Sequence, residues 1–297
     1  MAEFSEDYFK GEEREGFYVE EMMKRAWAAQ IEVLEMIDCI CQKYNIEYFA
    51  DWGTLLGAVR HKGFVPWDDD MDITMKRADY NRFIAVANTE LPEASFLHSI
   101  YTDENYNELF ARVVNSHHVN FTEEYLKRWH GCPYIVGVDI FPLDNLPKDA
   151  EEEKMQCDLL RILLKLLKEY FEKKGDAEQI IKQVEEVCGV TFDYTKNIKN
   201  QFLRVIDSIR QIYDEDGGDY TQLTQYIFTK EYRMPLKCYS ETIWMPFETI
   251  KVPVPKEYDI VLRSMYGDYQ KPVRKISHDY PFYKKQQEIV DRRMKEK

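Results

Sequence analysis

Four carboxylates fall within five residues at Asp68-Asp69-Asp70-Met71-Asp72, and no other stretch of the 297-residue chain points to chemistry so directly. From Asp70 to Met75 acidic or polar residues alternate with Met71, Ile73 and Met75, the period of a strand, so Asp70 and Asp72 share a face. Same-face residues stand roughly 6.6 Å apart, which lets both carboxylates reach one divalent ion or a pair of ions about 3.5–4 Å apart. Oxygen-only ligands favour Mg2+, or Mn2+, over zinc. Asp68 is the weaker third ligand of this run. A solvated acidic turn is the simpler alternative, but the alternation argues against it, because burying the methionine and isoleucine face crowds like charges on the other. A calcium-binding loop fails at its sharp-turn position, where glycine is required and Ile73 stands.

The flanking residues extend this chemistry. Glu47–Trp52 reads as a strand ending at Gly53, and Gly53-Thr54 turns into a helix with Thr54 as its N-cap, leaving backbone N–H groups for a phosphate oxygen. Arg60, followed by His61 and Lys62, closes that helix and serves either a diphosphate or the helix dipole. The apolar run Tyr134–Phe141 is interrupted only by Asp139, and a carboxylate in such a run requires a metal, an arginine or a hydrogen-bonding network. Asp139 is therefore expected to face one of these, with a salt-bridged core aspartate as the simpler alternative to a functional one. Asp144, just past Pro142, reads as a cap or turn residue. Arg112 stands in the strand-like run Leu109–Val114, where a guanidinium needs a partner.

These segments resemble the LicD-type phosphotransferases, related to the fukutin group and built on the nucleotidyltransferase fold. The resemblance rests on Trp52-Gly53-Thr54-Leu55-Leu56-Gly57, on Trp67-Asp68-Asp69-Asp70-Met71-Asp72, on Val138-Asp139-Ile140-Phe141-Pro142-Leu143-Asp144, and on Phe247-Glu248 with Met265-Tyr266-Gly267-Asp268-Tyr269. It covers about residues 20–145 and 240–275. It implies metal-dependent transfer of a phosphorylated group from a CDP-linked donor, most often phosphocholine from CDP-choline, to a hydroxyl of a glycan or lipid-linked saccharide, with release of CMP. On this view Asp70, Asp72 and Asp139 are catalytic, with Asp68 they hold Mg2+ or Mn2+, and Gly53, Thr54, Arg60, Arg112 and Trp67 bind substrate. A choline group would need aromatic walls beside an acid, and Trp52, Trp67, Tyr134, Phe141 and Tyr266 flank the motifs. A nucleotidyl transfer at the α-phosphate, or a glycosyltransferase holding Mn2+ and a nucleotide sugar at Asp70-Met71-Asp72, would use the same acids.

The elements that position these residues follow from periodicity. Met22, Met23, Ala26, Trp27, Ile31, Leu34, Ile37 and Cys41 predict a long amphipathic first helix. A helix over 77–89 follows the acidic strand, with short strands over 95–121. From Lys148 the texture becomes helical, with Met155–Leu167 and further helices near 176–188, 196–214 and 219–228, and residues 214–219 form a solvated acidic turn. Strands return over Thr242–Val254, their prolines marking edges, and a last helix spans about 256–265. The expectation is an α+β fold, a nucleotidyltransferase-like mixed sheet flanked by helices with a helical subdomain inserted between core segments. Its divisions are a catalytic core over 1–150, the helical subdomain over 151–235, and a C-terminal segment over 236–297 that returns to the core.

The net charge of −14 is opposite to the basic footprint of a nucleic-acid binder and to simple adsorption on anionic lipid. No apolar stretch approaches ~18 residues, so no transmembrane segment is expected. The lysine-bearing Leu159–Leu167 segment offers a peripheral membrane contact, with a core-facing helix as the simpler reading. Six scattered cysteines without paired spacing read as free thiols and suit a cytoplasmic protein.

Overall fold

The computed structural model of the protein describes residues 2–172, 174, 176–215, 217–274 and 280–295. A hairpin of β1 (Glu12–Arg14) and β2 (Phe17–Val19) leads into helix α1 (Glu21–Tyr44). The core continues through β3 (Phe49–Ala50), α2 (Trp52–Arg60), β4 (Asp72–Lys76), α3 (Arg77–Glu90), β5 (Phe96–His98), β6 (Ala111–Val114), α4 (Glu123–Arg128) and β7 (Gly137–Asn145). A helical section follows, with α5 (Ala150–Phe171), α6 (Ala177–Cys188), α7 (Ile198–Arg210), the short β8 (Tyr220–Thr221) and α8 (Leu223–Thr229). Strands β9 (Thr242–Phe247) and β10 (Ile250–Pro255), then α9 (Tyr258–Tyr266) and α10 (Tyr283–Lys295), complete the fold.

The central mixed sheet has the order β3-β4-β7-β6-β5, with β8 pairing the far end of β7. Strands β4 and β7 run parallel, and the other pairs are antiparallel. The fold is α+β. Met71, Ile73 and Met75 are fully buried, as their alternation requires, and they pack in one cluster with Met23, Trp27, Ile31 and Leu34 of α1. The opposite face of β4 is also closed, since Thr74 is buried and Asp72 is 9 % exposed, so the acids project into the protein rather than into open solvent.

Two expectations about the C-terminal half change. Residues 242–254 form strands, but among the described residues β9 and β10 pair only with each other instead of rejoining the central sheet. Pro246, Pro253 and Pro255 lack the N–H groups that a further neighbour would need, and the hairpin packs against β3 and α2. Within the helical section, Leu160, Leu163, Leu166 and Leu167 turn into a separate apolar cluster with Phe202, Leu203, Ile206 and Leu223. That burial removes the leucine face proposed for a membrane contact, and no described helix is long and apolar enough to cross a membrane.

Asp144 is not a cap or turn residue. It is fully buried at the end of β7, where one carboxylate oxygen accepts from Arg77 Nε at 2.6 Å and the other from Arg210 Nε at 3.0 Å. Asp207 of α7 joins the same two guanidinium groups. Burial pushes the Asp207 carboxyl upward, but Arg77 and Arg210 outweigh it and hold the group below the usual carboxylate range. The network ties the sheet and α3 to the helical section.

The acidic stretch 214–219 begins in a turn with Glu215 exposed, as expected, but Asp214 is drawn inward; Asp216 lies outside the described residues. Asp214 sits beside Asp144, and burial, then the Asp144 charge, push its carboxyl up to about 7. Below the ordinary carboxylate pKa the group is protonated in both folded and unfolded chains. As pH rises to 7 the unfolded chain ionises first, so folding loses stability over that window, at most about 4 kcal/mol at roughly 1.4 kcal/mol per unit. Asp214→Asn is therefore expected to melt higher than wild type at pH 8 and at the same temperature at pH 4. Equal melting curves at pH 8 would refute this.

Candidate active site

The rung that builds the site is set by register. Asp72 of β4 lies directly beside Asp139 of β7, and Asp139 lies beside Arg112 of β6, so all three side chains leave the same face of the sheet. Asp68, Asp69 and Asp70 occupy the loop just before β4, with a carboxylate oxygen of each within 4.8 Å of the others. This loop is pinned from behind. Trp27 Nε1 of α1 donates to the Asp68 carbonyl at 3.2 Å and Gln30 Nε2 to the Asp69 carbonyl at 2.8 Å, while Asp69 Oδ2 accepts from the Phe282 N–H. Asp69 is thereby 1 % exposed and carries a structural contact that its sequence position did not reveal.

Asp72 is the electrostatic centre. Burial, then the charges of Asp70, Asp139, Asp68 and Asp51, push its carboxyl well above the usual range. A buried acid facing four others either keeps a proton or takes a cation. The donor set is all carboxylate, hard oxygen on two central strands and the loop before β4, and suits Mg2+ or Mn2+. Asp139 fits this set while engaged: Arg112 Nε and Nη2 donate to its two oxygens, the latter at 2.6 Å, and each carboxylate oxygen keeps a second lone pair for a cation.

Several residues expected to touch substrate do other work. The helix N-cap is Asp51, not Thr54: α2 begins at Trp52, and the Asp51 carboxylate accepts the Trp52 N–H at 2.9 Å. Thr54 is buried in the helix, and its Oγ1 accepts the Asp72 N–H at 2.9 Å, so it fixes the acid strand. Asp51 also accepts from Gln222 Nε2 at 2.6 Å, a contact from the helical section, and burial pushes its carboxyl up to about 7. Arg60 Nη1 donates to the Tyr269 carbonyl at 2.6 Å and secures the turn after α9. Trp67 is 5 % exposed with its ring edge-on to Phe17 and His61, so little of it is left for a ligand. Arg112 remains beside the acids with its side chain 47 % exposed.

Gly53 is brought to the acids through packing. A Cβ at this position would lie 1.9 Å from Asp68 Oδ2, so only glycine lets that carboxylate rest against α2. The obstructed atom is the end of a side chain that can swing away, which separates function from folding. Gly53→Ala should keep the wild-type melting temperature within a few degrees while activity falls by about 10²-fold, the usual cost of displacing a positioned group by 1 Å. Unchanged kcat/KM would show that the Asp68 position is irrelevant.

A cavity of about 350 Å³ opens beside these acids, lined by Gln30, Asp70, Arg112, Asp139, Phe282 and Gln286. On the other side stand aromatic rings. Phe141 lies two residues beyond Asp139 on the same face, 4.7 Å from Phe110 and 6.3 Å from Trp52, which in turn lies 4.9 Å from Tyr232.

Comparison with known proteins adds an independent finding. The profile of the LicD/FKTN/FKRP nucleotidyltransferase domain matches residues 45–145, which hold every acid of the site. The chain is 29% identical over 258 residues to the lipopolysaccharide cholinephosphotransferase LicD of Haemophilus influenzae, spanning 81% of this chain and 88% of the relative. An uncharacterized protein of Rickettsia typhi is 54% identical over 41 residues, 14% of this chain and 13% of its own. One of Rickettsia prowazekii is 57% identical over 37 residues, 12% of this chain and 14% of its own.

Proposed function

Because this chain belongs to the LicD family of transferases, we propose that it transfers phosphocholine from CDP-choline to a hydroxyl of a cell-surface glycan or its lipid-linked precursor, releasing CMP. The observation that carries this reading is the Asp72–Asp139 rung with Asp70 and Asp68 beside it, in a chain similar over most of its length to a named cholinephosphotransferase. Asp70, Asp72 and Asp139, with Asp68, would hold Mg2+ or Mn2+. A bound ion there supplies charge neutralisation for the diphosphate as the leaving group departs.

The chain's own groups position the reaction. Arg112, oriented by both oxygens of Asp139, keeps Nη1 to donate to a non-bridging phosphate oxygen. The acceptor hydroxyl attacks the phosphorus that bears choline, a new P–O bond forms, the bond to the CMP oxygen breaks, and the hydroxyl proton leaves to a carboxylate or to water. Catalysis of this kind rests on alignment and electrostatics. The free thiols at every cysteine accord with a cytoplasmic site of action.

A second reading is attack at the phosphorus that bears cytidine, which the nucleotidyltransferase description of the matching domain favours. A glycosyltransferase gains nothing from these matches.

The test is incubation with CDP-choline, Mg2+ and a panel of surface-glycan acceptors, following CMP and the mass of the acceptor. Acceptor-dependent CMP release, abolished by chelation and accompanied by a phosphocholine mass increment, is expected. Release unaffected by chelation would remove the metal, and turnover of CDP-ribitol or CDP-ethanolamine but not CDP-choline would remove the head group.

A further inference from the structure

We propose that Trp52, Phe110, Phe141 and Tyr232 form the aromatic wall that takes the quaternary ammonium of the donor, a step that rests on the phosphocholine reading above. Phe141 shares the sheet face of Asp139 two residues further along β7, and Phe110, just before β6, packs against its ring. Trp52 continues the wall from Phe141, and Tyr232 continues it from Trp52. All four rings are partly exposed, unlike the buried Phe49, Phe64 and Phe83 of the core.

The geometry selects the ligand class. Neighbouring rings meet at 54° for Trp52 and Phe141, 50° for Trp52 and Tyr232, and 33° for Phe141 and Phe110. A partly exposed row of tilted rings presents π faces to a rounded cation. A trimethylammonium group has no N–H to donate, so ring faces and nearby carboxylates are the means of holding it.

Two further observations mark this wall as built for a purpose beyond packing. Trp52 and Tyr232, whose rings touch, both hold the left-handed backbone region, at φ of +44° and +66°. Non-glycine residues there are strained, and such strain persists where the surroundings over-determine it, commonly at ligand sites. Trp52 Nε1 is also buried without a hydrogen-bond partner among the described residues, as tolerated in a wall that presents its face and not its edge. Tyr232 comes from the segment after α8, so the helical section supplies both this ring and the Gln222 contact to Asp51. Its part in the site is then on the donor side.

The experiment measures affinities of the Mg2+-loaded protein for CDP-choline and CDP-ethanolamine by calorimetry, for wild type, Tyr232→Leu, Phe141→Leu and Tyr232→Phe. Leucine keeps apolar bulk and removes the π face; phenylalanine keeps the face. Wild type should prefer CDP-choline, each leucine variant should lose about tenfold of that preference, and Tyr232→Phe should retain it. A preference unchanged in both leucine variants, or affinity for both donors falling equally, overturns the pocket while leaving the phosphocholine reading in place. Wild type that binds CDP-ethanolamine but not CDP-choline overturns that reading, and the pocket with it. Melting curves for each variant separate lost recognition from lost fold.

Discussion

Asp72→Asn is expected to lose transfer activity by about 10³-fold or more and, in the presence of a chelator, to melt higher than the wild-type protein. The two effects share one cause. The Asp72 carboxyl is buried against Asp70, Asp139, Asp68 and Asp51, which raise the cost of its negative charge in the folded chain. Asparagine keeps the shape and leaves the backbone bond from the Asp72 N–H to Thr54 in place, so removing the charge relieves repulsion without opening a cavity. Transfer, in contrast, requires that charge to hold the cation that spreads the diphosphate's own, and losing a single preorganised electrostatic contact already costs about 10²–10³ in rate. With Mg2+ added the order of melting should narrow or reverse, because only the wild type gains a ligand. Thermal melts with and without chelator, beside a turnover assay, check both halves. An asparagine variant that is active, or one that melts lower in chelator, would count against the cation site.

The second large effect concerns the fold. Asp144 is shared by Arg77 and Arg210, and these three with Asp207 are all buried. Breaking such a set by removing one partner strands the others without compensation and costs about 3–5 kcal/mol. Asp144→Asn should therefore lower the midpoint of chemical denaturation strongly, and it should loosen the helical section, whose α7 supplies Arg210 and Asp207. Faster proteolytic cleavage within residues 150–230, read alongside the denaturation curve, gives a second measure. A loss below about 1 kcal/mol would show that the buried charges contribute little beyond packing.

The acid strand was legible because it obeys local rules. Alternation at Met71, Ile73 and Met75 placed Asp72 opposite the core, although Asp70 lies in the loop before β4 and does not share its strand face, and the lone acid in an apolar run marked Asp139, so both carboxylate strands could be read without knowing that they are neighbours. The long first helix was legible from spacing alone. What was not legible depends on partners far away in the chain. Asp144 meets Arg77 and Arg210 across 67 and 66 residues, Asp51 meets Gln222 across 171, and neither pairing leaves a periodic trace. Thr54 misled because a threonine after a glycine suits an N-cap, whereas Asp51, three residues earlier, takes that role and frees the hydroxyl for the Asp72 N–H. The proline-marked strands 242–255 were correctly read as edges, but which strand they would neighbour is a tertiary matter.

The central claim is attack at the choline-bearing phosphorus by an acid-held cation site, and it can be tested without knowing the natural acceptor. Water can stand in for the acceptor hydroxyl, so slow Mg2+-dependent cleavage of CDP-choline in 18O-labelled water yields CMP and phosphocholine whichever phosphorus is attacked. Mass spectrometry then locates the label. The account predicts 18O in phosphocholine, with the reaction absent in Asp72→Asn; 18O in CMP would mean that the enzyme transfers a nucleotidyl group instead.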